Sequence, residues 1–326
     1  MLIKRTARGM IYSVTLNPSL DRTLTFNNLT LGTVNRAIAT RIDLGGKGIN
    51  VARALCALGV ECRVCGLLGS GSGDAFLEQL QAEGLGCLFV RHAGEVRVNI
   101  TAVDQERAET TKLNEPGAQV DAAVVDQLQV LLLEQLLPGD AVLLSGSLPV
   151  GAPADSYRQL ISSFRQRGAI CGLDTSGPAF HEGLVAAPEW IKPNLEEAEE
   201  LLGYPLEDNL GIRRALSELH NRGAAHILLS AGASGLLYSH AGKAWLAQPP
   251  QVVVRSTVGA GDAAFAGAFA AWLAGQDGAT IARQAAAAGT ASAMLEGSQM
   301  PSGGQVNSIF NQVYVSSFLY QDFKRG

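Results

Sequence analysis

The chain has 326 residues, with 25 lysines and arginines against 30 aspartates and glutamates, for a formal net charge of −5. Because 47% of it is hydrophobic and only 17% charged, it is not a disordered, solvating chain, and the acidic balance argues against a nucleic-acid or polybasic membrane binder. An anion bound here must therefore be met by local design, and the 37 glycines fall in clusters suited to that.

Residues 1–9 form a basic extension ahead of Met10. The apolar run that follows stops at Asn17-Pro18 with no small-residue cleavage site, so no signal peptide is expected. Ile11–Leu16 reads as a strand, Ile49–Leu58 as a helix, Arg63–Leu68 as a strand and Asp74–Glu83 as a helix. Two stretches break this rhythm. Residues 23–41 and 96–113 contain Thr, Val, Ile and charged side chains in near alternation, the pattern of strands with one wet face; they read either as a small separate β-sheet inserted as a lid over a site or as an ordinary edge hairpin. Farther on, short apolar runs alternate with amphipathic helices: Asp140–Ser145 precedes a helix over Ser156–Gln166, and Ala169–Leu173 precedes one over Phe180–Ala187. Glu189–Lys192 precedes helices over Asn194–Leu202 and Ile212–Arg222, and Ala225–Ser230 is again fully apolar. Such β-α units predict an α/β fold, a mostly parallel central sheet with helices on both faces, in one domain over residues 10–318. Gln251–Val254 reads as a further strand running into a helix of very small residues, whose stretch Ala263–Ala274 falls short of the ~20 residues a membrane span needs. The last fifteen residues have no clear pattern. Five cysteines make no disulfide framework in a chain of this length, and Cys62 and Cys65, three apart in a predicted strand, point to opposite faces. They read as structural thiols in a reducing cytoplasm.

The sharpest segment is Ser256-Thr-Val-Gly-Ala-Gly-Asp262, where a glycine-rich turn opens a helix. Unpaired N–H groups and the positive dipole end at such a helix start make an anion site, and Gly259 and Gly261 allow the backbone close to a phosphate. A carboxylate at Asp262 would repel that anion unless it takes a proton from an attacking hydroxyl, which suggests phosphoryl transfer with a general base. The alternative is that Asp262 caps the helix. A second cluster, Leu44-Gly-Gly-Lys-Gly-Ile-Asn-Val-Ala52, brings Lys47 and Asn50 to a helix start. It is not a Walker A loop, because position 41 is Arg and Gly48 stands where Ser or Thr is required. Gly69-Ser-Gly-Ser-Gly73 lacks a third glycine at the proper offset of a dinucleotide fingerprint and reads as a turn, which removes support for a nicotinamide oxidoreductase. Asp21 follows the first strand, where open α/β sheets place ligands; it could hold sugar hydroxyls or cap a turn. Asn194 and Glu197, at i and i+3, could organise Mg²⁺ through water or form a capping box. The five histidines have no metal-ligand spacing, and there is no G-x-S-x-G elbow.

In order along the chain, GGKGINVA at 45–52, SGSLP at 145–149, DTSG at 174–177, KPNLEE at 192–197 and STVGAGD at 256–262 resemble the motifs of the ribokinase-like (PfkB) carbohydrate kinases, over about residues 10–315. TLNPSLD at 15–21, Arg97-Val-Asn99 and LNEPG at 113–117 resemble the phosphosugar branch, which holds the 1-phosphofructokinases, tagatose-6-phosphate kinases and minor 6-phosphofructokinases. The R-V-N-I form at 97–100 is most similar to the first of these. The resemblance implies a ribokinase-like fold and ATP-dependent transfer to a ketohexose phosphate, fructose 1-phosphate giving fructose 1,6-bisphosphate; a non-catalytic sugar-phosphate sensor is the reading from another class. It makes Asp262 the base and the amides of Gly259, Ala260 and Gly261 the anion hole. It places Asp21, Gly45, Gly46, Lys47, Asn50 and Ser147 around the sugar phosphate, with Arg97 and Asn99 closing over it. Lys192, Asn194, Ser230, Gly232, Gly235 and Thr257 fall on the nucleotide side, with Glu197 near Mg²⁺. It also implies a homodimer through the lid and leaves a monovalent cation, K⁺, open as a further cofactor. Asp262 is followed by Ala263-Ala264 where the branch usually has Ser.

Overall fold

The computed structural model describes residues 9–319. Residues 1–8 of the basic extension and the end of the unpatterned tail lie outside them. Strand β1 (Ile11–Thr15) is buried throughout, and the chain then leaves for β2 (Ser19–Phe26) and β3 (Ala39–Gly45). It returns through α1 (Lys47–Ala57), β4 (Cys62–Gly69), α2 (Gly73–Ala82) and β5 (Gly86–His92). A second excursion makes β6 (Arg97–Asp104) and β7 (Glu109–Asn114). The run of β-α units follows: α3 (Ala122–Gln135), β8 (Ala141–Ser145), α4 (Ser156–Gln166), β9 (Ile170–Asp174), α5 (Gly177–Val185), β10 (Trp190–Ile191), α6 (Leu195–Leu202), α7 (Asn209–Asn221) and β11 (His226–Ser230). An antiparallel hairpin of β12 (Leu236–His240) and β13 (Lys243–Gln248), helices α8 (Ala260–Leu273), α9 (Gly278–Ala293) and α10 (Gly303–Phe310), and β14 (Tyr314–Leu319) complete the described residues.

Ten strands form the main sheet in the order β14-β13-β12-β11-β10-β9-β8-β1-β4-β5, and four form the small one, β3-β2-β6-β7. The pairs from β11 through β1 to β5 are parallel, whereas β11–β12, β12–β13 and β13–β14 are antiparallel. Strands such as Ala141–Ser145 are apolar without alternation because both faces are covered. One face packs on α1, α2, α8, α9 and α10, and the other on α3 to α7. Cys62 belongs to the first core and Cys65 to the second, as their three-residue spacing in β4 requires. Helix α8 is buried on nearly every side, and its small residues let it lie close to α9: a Cβ on Gly267 would be 2.8 Å from the Gln284 carbonyl. Successive core strands step one way from β1 to β4 and β5, then the other way from β8 onward. The carboxyl ends of β1 and β8 therefore border the crevice where α/β sheets of this kind bind ligands.

One expected element is absent. Residues 251–254 form no strand, because Pro249 and Pro250 lack the N–H groups that would continue the ladder, and Val253 stands 81% exposed. The strand pairing expected there is supplied by the tail, whose β14 joins β13 from Tyr314↔Gln248 to Leu319↔Lys243. Among the described residues no helix is long and apolar enough to cross a membrane.

Candidate active site

In the first glycine cluster along the chain the space a side chain would need is already taken, by backbone at Gly48 and by neighbouring side chains at Gly45. Gly46, at φ 134, is the N-cap of α1, and a Cβ on Gly48 would lie 2.6 Å from the Val14 carbonyl of β1. A Cβ on Gly45 would overlap the Asp21 carboxylate. This close seating puts Lys47 and Asn50, on the first turn of α1, beside the ends of β1 and β9. Lys47 Nζ lies 3.0 Å from Asp174 Oδ1, and Lys192 Nζ, just past β10, lies 3.2 Å from the same oxygen. Asn50 Nδ2 donates to Asp262 Oδ2 at 2.8 Å.

The two buried aspartates are driven in opposite directions. Burial opposes the charge of Asp174, but Lys192 and Lys47 outweigh it and hold that carboxyl below the ordinary value. Among the described residues no lysine is in direct contact with Asp262. Burial, then the negative charge of Asp174, pushes it up to about 6 against the weaker pull of Lys47, Asn50 and Lys192. Lys47 is raised, first by Asp174, against the cost of its burial, and further by Asp262 and Glu197. Asp262 is therefore charged at neutral pH yet more basic than an ordinary carboxylate. It makes no capping bond: the N-cap of α8 is Gly259, left-handed at φ 81. Ala260 N reaches Thr257 O at a long 3.4 Å, and the amides of Gly259 and Gly261 meet no protein acceptor among the described residues. Lys192 Nζ would lie 3.3 Å from a Cβ on Gly261, so a cation borders this cradle of N–H groups.

The small sheet places its polar row over the crevice. Asp21 pairs in register with Asn99, whose Nδ2 donates to Asp21 Oδ1 at 2.9 Å, and Ser19 Oγ donates to the same oxygen at 2.8 Å. Asp21 thus caps no turn; its other oxygen meets Gly45. Arg97 opens β6, and burial lowers its affinity for protons while Asp21 acts the other way. Its Nη1 reaches the Glu115 carbonyl at 3.3 Å, while its buried Nε has no partner among the described residues, and neither do Asn50 Oδ1, Asn99 Oδ1 and Asp174 Oδ2. Ser147 is farther out, accepting from Asn17 Nδ2 at 3.4 Å.

On the opposite side, Asn194 and Glu197 form a complete capping box, each side chain bonded to the other's backbone amide. One Glu197 oxygen is thereby occupied, although the residue remains near enough to raise Lys47. Ser230 bridges to Asn194, and the turn after it closes through Ala231 N to Gly235 O at 2.9 Å, with Gly232 at φ 56 and Gly235 at φ 106. Ser230, Gly232, Gly235 and Thr257 make no direct bond to Asp262 or Lys47 among the described residues. Sequence reasoning gave no role to Asp174, which joins both lysines. The signal was available: it ends an apolar strand at the carboxyl edge, as Asn17 and Lys192 nearly do. The assembly offers a basic carboxylate, free amides at a helix start, two lysines and a lid bearing an arginine, which is equipment for moving a phosphoryl group onto a hydroxyl.

A family model described as "pfkB family carbohydrate kinase" matches residues 14–302. The chain is 40% identical over 278 residues to a 1-phosphofructokinase of Rhodobacter capsulatus, covering 85% of this chain and 88% of that one. It is 39% identical over 286 residues to a 1-phosphofructokinase of Xanthomonas campestris, covering 86% and 89%. Among solved structures, Escherichia coli phosphofructokinase-2 in complex with potassium superposes with a TM-score of 0.88 at 28% identity, covering 93% of this chain and 98% of that one.

Proposed function

As the chain belongs to the pfkB family of carbohydrate kinases, we propose that it transfers the γ-phosphoryl group of ATP to the 6-hydroxyl of fructose 1-phosphate, giving fructose 1,6-bisphosphate. The observation that carries the mechanism is the buried Asp262, fixed by Asn50 through one oxygen and raised to about 6 beside unpaired amides. Its other oxygen takes the proton as the acceptor hydroxyl attacks the γ-phosphorus and the bond to ADP breaks. The amides of Gly259, Ala260 and Gly261, with Lys192 beside them, stabilise charge on the transferring group. Lys47, aligned by Asp174, adds positive charge between the two substrates. Asp21 and Asn99 hold sugar hydroxyls, and Arg97 pairs with the sugar's phosphate. Asn194, Ser230, Gly232, Gly235 and Thr257 border the nucleotide.

Mg²⁺ fits as an ion borne mainly by phosphates and water. No cluster of three potential acidic, His or Cys ligands exists among the described residues, while Asp174 Oδ2 is buried without a partner. Asp174 and Glu197 would hold it, and when bound it neutralises charge on the phosphates. The choice of fructose 1-phosphate is supported by the R-V-N-I lid strand and by the 1-phosphofructokinase relatives. A homodimer through the lid is supported by one row across the small sheet, Ile42, Arg22, Ile100 and Leu113, in which Ile42 is 48% and Leu113 58% exposed. Unpaired cysteines suit a reducing compartment, the cytoplasm. Steady-state kinetics with Mg-ATP against fructose 1-phosphate, fructose 6-phosphate and tagatose 6-phosphate test the substrate. A kcat/KM at least about tenfold higher for the first corresponds to about 1.4 kcal/mol of discrimination; preference for a 6-phosphate would reject that assignment, and binding without turnover would revive a sensor.

A further inference from the structure

Between α9 and α10 the chain runs from Met294 to Ser302, the N-cap of α10, and touches both the lid and the anion hole. On the lid side, Glu296 Oε2 takes Arg41 Nη1 of β3 at 3.4 Å, and Arg41 Nε is held in turn by Asp43 at 2.8 Å. Gly297 is left-handed at φ 60, and a Cβ there would overlap the Arg41 guanidinium, so that group lies directly on the Gly297 backbone. Asp43 pairs in register with Asp21, the lid residue bonded to Asn99. On the other side, Glu296 Oε1 faces Arg255 Nη1 at 3.6 Å, and the Arg255 amide donates to Ala293 O at 2.9 Å. Arg255 lies four residues before Gly259. Three residues beyond Gly297, the Met300 methyl occupies the space over Gly259, 2.5 Å from where a Cβ would be.

We propose that this connection is a relay that couples the position of the lid to the placement of the Gly259–Gly261 amides, with Glu296 and Met300 as positioning residues. The idea rests on the kinase reading above. A shift of β3 on sugar-phosphate binding moves the Arg41–Glu296 contact. That displacement reaches Gly259 by two routes, through Arg255 along the chain and through Met300 by packing. The Met300 methyl transmits such a shift because it is packed directly over Gly259, whereas the exposed Glu296–Arg255 pair follows through its charge contact at 3.6 Å. Neither Glu296 nor Met300 touches the reacting atoms. Their effect is to set the amides in line when the sugar is in place, and so to discourage transfer to water when it is not.

The test is thermodynamic coupling between the two ligands. The dissociation constant of a non-hydrolysable ATP analogue with Mg²⁺ is measured with and without saturating fructose 1-phosphate, and the ratio is the coupling factor. In the wild type we expect a factor of about fivefold or more, within the usual range for coupled sites. Glu296→Gln and Arg41→Gln should bring it below about twofold while each ligand's separate constant stays within about threefold. Met300→Ala should lower kcat about tenfold at unchanged KM, and Met300→Leu should recover it by restoring bulk. A coupling factor of one in the wild type, coupling retained in both charge variants, or full turnover in Met300→Ala would overturn the relay alone. A wild type that neither binds nor phosphorylates any of the three ketohexose phosphates would refute the kinase reading, and the relay with it.

Discussion

Replacing Asp262 by Asn gives two readouts of opposite sign from one ionisation. The side chain is 5% exposed, and burial with Asp174 nearby lifts it from the ordinary 3.8 to about 6. The folded state therefore binds this proton more tightly than the unfolded chain. Its contribution favours folding fully below pH 3.8, is lost as pH rises to about 6, and leaves a constant penalty above that. At about 1.4 kcal/mol per pH unit the penalty at pH 8 is about 3 kcal/mol. Asn keeps an oxygen for Asn50 and carries no charge, so the variant should be more stable at pH 8 by up to that amount. With an unfolding entropy of about 2.1 cal/mol/K per residue, this is a rise of about 4 °C in Tm. The difference should vanish below pH 4. Turnover should meanwhile fall by about 10²–10⁴, the contribution of a general base, with sugar-phosphate affinity within a few fold. In the wild type, kcat/KM should fall below about pH 6 as Asp262 takes up its proton. Calorimetric melting from about pH 3.5 to 8, titration of the sugar phosphate and a coupled turnover assay read all three. Near-wild-type turnover would refute the role of Asp262 as base, and melting curves that differ equally at every pH would refute the account of its ionisation.

Asp174→Asn leaves the lysines at positions 47 and 192 without their shared counter-charge. Losing one member of a buried ion pair costs about 3–5 kcal/mol, which a lower urea midpoint would report, and the acid limb of kcat/KM in this variant should move below 6 because the charge that raises Asp262 is gone while both lysines remain. Arg97→Ala should raise KM for the sugar phosphate by about 10–150-fold, the range for a hydrogen bond to a charged group, with a smaller change in kcat; a KM within threefold of wild type would remove Arg97 from the phosphate. Ile42→Glu with Leu113→Glu should yield monomers in sedimentation equilibrium if the exposed row on the small sheet is the dimer contact.

Much of the frame was legible because burial leaves a trace in the residues themselves. Strands covered on both faces are apolar without alternation, as in Ala141–Ser145; the lid strands alternate in residue type but not in burial, since Ile42 and Leu113 of their apolar row stand 48% and 58% exposed. Helix starts at Lys47 and Ala260 were marked by glycines, Gly46 at φ 134 and Gly259 at φ 81, conformations that favour glycine. The antiparallel edge was not legible. Residues 251–254 have strand composition, but their fate is decided by two preceding prolines and by a tail strand that returns from 314–319 to fill the edge. Propensity over four residues cannot report a competitor sixty residues away in the chain.

The candidate site divides in the same way. Glycines and strand ends announced where ligands belong, yet the chemistry depends on contacts between distant segments: Asn50 meets Asp262 across 212 residues, and Lys47 meets Asp174 across 127. Asp174 and Asp262 both stand at the end of a strand or the start of a helix and read alike in sequence. They differ because two lysines converge on one and an amide on the other, so one is held charged as a structural clamp and the other becomes basic enough to accept a proton. The two are also linked, since the negative charge that Asp174 retains to align the lysines is part of what raises Asp262. A single fold-level convergence therefore sets both the cationic frame and the strength of the base, and altering Asp174 should change the ionisation of Asp262.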